Sequence, residues 1–194
     1  MLRAVDWLAR WTAILGGLVL TVLVVMVCLS ILGRELNALG HADWLVDRAP
    51  GLAGVLLDTG VRPIRGDYEL VELGVAFTIF AFLPLCQLHG GHATVDVFTA
   101  ALPERANRVL MAIWEVLLSA MILLIAWRLF AGMMGKFASG ETTYDLQLPV
   151  GWAYAAAFGA ASVASLVAVY CAAARIWGLV TGFDYLPRRE GPTH

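Results

Sequence analysis

The ionisable side chains of this sequence are few, and where they fall decides what chemistry they could do. Glu69 and Glu72 stand three residues apart at the head of one apolar run, Glu115 and Arg128 lie inside another, and His89 and His92 follow the first. A charged group at the bilayer centre costs about 2.5–3.5 kcal/mol even on insertion scales, so such groups need partners. Glu69 and Glu72 share one helical face. If the two runs cross a membrane antiparallel, Arg128, about 20 residues into its run, returns to the depth of Glu72. That spacing has three readings: an ion pair, contact of one group with another protein, or snorkelling of both to the interface. Glu115 falls about 10 Å inside the opposite boundary by helical rise, where it snorkels or is paired outside the chain.

Other chemistries fit poorly. His89 and His92 share one short loop, His41 lies in the opposite loop and His194 is the last residue, whereas bis-imidazole haem ligation draws facing ligands from two helices. Cys28, Cys86 and Cys171 sit singly in apolar stretches without a CxxC, as small hydrophobic residues do. No GxSxG, HExxH or P-loop pattern occurs, and no carboxylate pair lies within reach of a substrate. The expectation is no catalytic residue, no cofactor, no metal, and a protein that is not an enzyme. A self-sufficient transporter would show two repeats around a midplane site with helices broken there. No repeat is visible, and Pro84 and Pro149 fall towards helix ends. The formal charge of −2 leaves no nucleic-acid footprint.

The elements that carry these residues are membrane helices. Residues 11–33 are an uncharged run of 23, flanked by Arg10 and Arg34. As a helix it spans about 34 Å against a hydrocarbon layer of about 30 Å. The run is longer than an export-signal core of about 7–15 residues and ends in Leu32-Gly33-Arg34, so it is expected to stay as an anchor. Composition agrees: 60% of residues are hydrophobic, 14% are charged, and the mean hydropathy is +0.78. The predicted fold is all-α: one polytopic membrane domain over residues 1–194, with four transmembrane helices near 11–33, 70–88, 109–135 and 147–174 and short interfacial amphipathic helices. A long loop covers 34–69. Within it, 42–61 mixes Trp44, Leu45, Leu52, Val55 and Leu56 with aspartates and arginines, which suits the membrane surface and makes a fifth crossing costly. A second such piece runs over 94–105.

Ala156, Ala160, Ala164, Ala168 and Ala172 recur every four residues in the last span, and Ala9, Ala13 and Gly17 do so in the first. These stripes allow small-xxx-small packing, within the chain or against another subunit. Lysine and arginine vote narrowly for cytoplasmic termini, with seven of the 13 basic residues on that side.

Particular residues resemble a known family. The stretch Gly66-Asp67-Tyr68-Glu69-Leu70-Val71-Glu72, continuing through Phe80, Pro84 and Gln87 to His89-Gly90-Gly91-His92-Ala93-Thr94-Val95-Asp96, resembles the small membrane subunit, DctQ type, of tripartite ATP-independent periplasmic (TRAP) transporters. Gly140-Glu141-Thr142-Thr143, with Leu146, Leu148, Pro149 and Trp152, is similar to that family's loop into its fourth helix. The first loop, roughly 38–65, is longer than the family pattern. The resemblance implies a bacterial inner-membrane subunit with both termini cytoplasmic, partnered by a large TRAP permease subunit and a periplasmic substrate-binding protein among membrane lipids. It implies uptake of an organic acid, such as a dicarboxylate, by symport on a sodium or proton gradient, with this chain as a brace. Asp67, Glu69, Glu141, Thr142 and Thr143 would then face the binding protein or the large subunit, and His92 and Asp96 the inner side. For His92 and Asp96, helix ending and capping is the equally weighted alternative. The competing reading of the whole chain is an anchor or assembly subunit of another inner-membrane complex, such as a respiratory enzyme.

Overall fold

The computed structural model describes residues 2–58, 60, 62–90 and 103–181. His92, Asp96 and most of the 94–105 piece lie outside the described residues. Six helices follow in order: α1 Leu2–Gly40, α2 Asp43–Arg48, α3 Pro50–Asp58, α4 Asp67–His89, α5 Glu104–Ser139 and α6 Val150–Thr181. The fold is all-α, and α1, α4, α5 and α6 are each long and apolar enough to cross a membrane. Among the described residues the one β feature is a bridge between Thr142 and Pro149.

The spans run beyond their apolar runs because nothing stops them earlier. At 39 residues, α1 is about 58 Å long, nearly twice the hydrocarbon thickness. Glycine ends two of the others: Gly90 after α4 (φ 61°) and Gly140 after α5 (φ 63°) take the left-handed conformation that a C-terminal cap requires. Pro103 precedes α5 and Pro149 precedes α6, where a missing N–H costs no intrahelical bond. The 42–61 piece forms the short α2 and α3, with Trp44, Leu52 and Val55 exposed.

The order of neighbours in space is α1, α4, α6, α5. The last helix lies between α4 and α5, whose backbones do not come close to each other. Its small residues explain why. Ala157, Ala160, Ala161, Ala164, Ala168 and Cys171 are buried, so α6 meets neighbours on two sides at close range. The buried set departs from the every-fourth-residue stripe, for Ala156 is exposed and Ala172 is half-buried. Four residues advance a helix about 40° beyond a full turn, so a strict period of four drifts off any one face. On α1 the contact residue is Gly16 rather than Gly17: a Cβ on Gly16 would stand 2.8 Å from the Ala81 Cβ of α4. At the end that carries the described chain ends, here the terminal end, Ala9, Leu88, Val167 and Cys171 join α1, α4 and α6 in one core cluster. The other end carries α2, α3 and the loop 140–149, and is here the loop end. Large apolar residues such as Leu18, Ile14, Trp127 and Leu166 face outward, as lipid-facing or protein-facing surface requires.

Candidate functional site

Among the described residues no group of three or more His, Cys, Asp or Glu side chains could hold a metal ion. A groove of about 470 Å³ lies on the surface between α1 and α4, lined by Arg10, Phe82, Leu85, Cys86 and His89. Of its lining residues, Arg10 donates to Asp6 at 2.7 Å and His89 stands 3.7 Å from the same carboxylate. Several of the described polar side chains form two layers that tie helices together.

The loop-end layer gathers around the start of α4. Gly66 caps that helix in the left-handed conformation (φ 69°), and its N–H donates to Asp145 Oδ2 at 3.1 Å. Glu69, three residues on, stands where a capping-box glutamate would turn back to the cap. It turns outward, and its carboxylate accepts the backbone N–H groups of Asp145 at 2.6 Å and Leu146 at 3.0 Å. The two exchanges are reciprocal, so α4 and the loop between α5 and α6 grip each other. Asp67 reaches the other way: Ser30 of α1 donates to its Oδ2 at 2.6 Å, and Arg34 lies 3.7 Å from the same oxygen and donates to the Tyr68 hydroxyl at 3.2 Å. Ser30 also accepts from the Ile64 amide at 3.2 Å, fixing the chain that leads into α4. Asp67 and Glu69 additionally place negative charge at the positive end of the α4 dipole.

The 140–149 loop is itself ordered. Thr143 N–H donates to Leu148 O at 2.9 Å, Val150 N–H to Glu141 O at 3.0 Å, and Leu148 N–H to the Thr143 hydroxyl at 3.1 Å. Thr142 bonds Gln147, which sits at φ 54°. Glu141 takes the Lys136 ammonium at 2.5 Å, and Trp152, just past Pro149, meets Phe137 edge-on at 5.7 Å. At the loop's apex Tyr144 is 94% exposed.

The second layer lies towards the terminal end. Gln87 of α4 donates to Glu115 of α5 at 2.6 Å, with both side chains buried, and one turn on Ser119 donates to the Ala168 carbonyl of α6 at 2.9 Å. Glu115 is thus buried within the bundle and accepts a hydrogen bond from the neutral amide of a helix two places away in the spatial order. This bridge passes alongside α6, whose narrow surface lets two long side chains meet where backbones cannot.

The Glu72–Arg128 ion pair does not form. Both side chains are exposed and no ion pair joins them, because α6 stands between the helices that carry them. Asp67, Glu69, Glu141, Thr142 and Thr143 all come together at the loop end, as do Pro149 and Trp152. Ser30, Arg34, Asp145, Gln87 and Ser119 take part without having been singled out for it. A serine or glutamine within an apolar run was the available signal, though period and spacing do not say which helix it meets. The head of the first stretch that carried the resemblance, 66–72, and the second stretch, 140–152, are bonded to each other through Gly66, Glu69, Asp145 and Leu146.

Residues 23–182 match the family described as tripartite ATP-independent periplasmic transporters, DctQ component. No curated protein and no solved structure matches the chain.

Proposed function

The chain belongs to the DctQ family of tripartite ATP-independent periplasmic transporter components, and from that membership we propose that it is the fixed membrane subunit that braces a large permease subunit while the latter moves substrate. In this reading a periplasmic binding protein delivers an organic acid, the large subunit carries it inward on a sodium or proton gradient, and this chain touches no cargo. It sits in the bacterial inner membrane with both termini cytoplasmic, so the loop end faces the periplasm. Asp67, Glu69, Glu141, Thr142 and Thr143 then lie on the side from which the binding protein approaches, and His92 and Asp96 belong to the inner side.

The observation that carries the reading is the cross-helix bonding at two levels. Asp67, Glu69 and Asp145 tie α1, α4 and the α5–α6 loop at the loop end, and Gln87–Glu115 and Ser119–Ala168 tie α4, α5 and α6 nearer the terminal end. A body held at both levels around a seam of alanines resists shear, which suits a part that stays still while a neighbour slides. Buried polar groups serve here as registers between helices rather than as a path for solute.

The test is reconstitution. Vesicles holding this chain with the large subunit and the binding protein should accumulate the organic acid under an imposed ion gradient, and vesicles lacking this chain should not. Accumulation by vesicles that hold this chain alone would overturn the proposal.

A further inference from the structure

Arg128 is an exposed cation inside a spanning helix, and among the described residues no hydrogen bond or ion pair satisfies it. It precedes Lys136, the residue that pairs with Glu141 at the loop end, by eight positions, or about 12 Å along the axis. The start of α5 at Glu104 is 24 residues back, about 36 Å away. Helical side chains lean towards the N-terminus of their helix, so Arg128 leans into the bilayer and away from the nearer interface. Glu72 is the opposite case. It lies five residues into α4, whose N-terminus is at the loop end, and the same lean carries it out towards water. Snorkelling serves Glu72 and fails Arg128.

The face around Arg128 has a second feature. Ala131 and Gly135 follow at three and seven residues, both exposed, and a Cβ on Gly135 would meet nothing within 4 Å. They form a small-xxx-small notch that, among the described residues, no helix fills. One and two turns the other way, Leu124 and Met121 are exposed on the same face. The face therefore reads, along the axis, as an apolar patch, a cation and a notch shaped for a close helix. The cation selects the occupant. A second copy meeting α5 with α5 about a twofold axis along the membrane normal would set Arg128 against Arg128. Lipid tails offer no acceptor, and lipid phosphates lie at the interface.

We propose that this face of α5 is the docking surface for a spanning helix of the large permease subunit, and that this helix presents a carboxylate to Arg128. The proposal rests on the reading of this chain as a component bound to such a subunit.

The full chain, affinity-tagged and coexpressed with the large subunit, is solubilised in mild detergent, and the copurified large subunit is quantified. Melting of each variant chain alone serves as a fold control. Arg128→Leu should melt like the wild type yet retain at least about tenfold less large subunit, as removal of one partner of a buried charge pair requires. Gly135→Leu fills the notch while raising helix propensity, so it should give the same loss without loss of fold. Arg128→Lys should keep most of the binding, and Glu72→Gln all of it. Arg128→Glu should be rescued by one acid-to-arginine change in the large subunit's spans. Wild-type recovery with Arg128→Leu or Gly135→Leu overturns the docking face and leaves the brace reading standing, and failure of every acid-to-arginine change to rescue overturns the carboxylate. A wild-type chain that retains no polytopic partner overturns the brace reading itself.

Discussion

Replacing Gly66 by alanine tests the loop-end layer at its tightest point. Two separate costs fall on one methyl group. The backbone at φ 69° is left-handed, where an L side chain costs about 1–2 kcal/mol. The added Cβ would also overlap Leu146 Cγ and Cδ1, so the leucine must leave its place, an overpacking cost of about 1–3 kcal/mol. Leu146 cannot withdraw freely, because its own N–H is held by Glu69 and the neighbouring Asp145 holds Gly66. The sum is about 3 kcal/mol of bundle stability, which equilibrium unfolding in mixed micelles, followed by tryptophan fluorescence, can resolve. A cycle separates the two parts. In a Leu146→Ala background the methyl clash is gone, so Gly66→Ala should cost only the backbone part, and the coupling between the sites should be about 1–3 kcal/mol. Gly66→Asn, which tolerates the left-handed region, should lose less backbone energy than alanine. Strict additivity of Gly66→Ala and Leu146→Ala would refute the claim that these residues are in contact.

Three further outcomes follow from the packing. Ala164→Leu, at a fully buried point of the α6 seam, should destabilise by about 1–3 kcal/mol, whereas Ala156→Leu on the exposed side should be near neutral; the same unfolding titration compares them. Gln87→Leu leaves the buried Glu115 carboxyl without its donor and should cost about 1–3 kcal/mol, while Glu115→Gln, which keeps an acceptor for Gln87, should cost less; the reverse ranking would refute the bridge. Glu69→Ala removes the acceptor of two backbone amides, so hydrogen exchange at Asp145 and Leu146 should quicken while the centre of α6 stays protected.

Part of the candidate site was legible before the fold. The residues of 66–96 and 140–152 stood out as two separate stretches, and Glu69 and Glu72 were placed at the head of an apolar run. Their mutual grip was not legible, since it joins Glu69 to backbone N–H groups 76 and 77 residues away. Backbone donors have no sequence signature. Arg128 shows the same limit from the other side: depth arithmetic matched it to Glu72, but depth says nothing of which helices are neighbours.

A membrane protein of four long helices follows from the order of residues alone, because run length, charge spacing and glycine or proline stops are local properties measured against a bilayer of fixed thickness. Its motifs also carried the family. The order α1, α4, α6, α5, and with it the polar pairings between helices, emerged only from the packing. That order depends on which faces interlock, a sum over many small contacts in which the alanines of α6 let it lie between two helices that sequence arithmetic had set side by side.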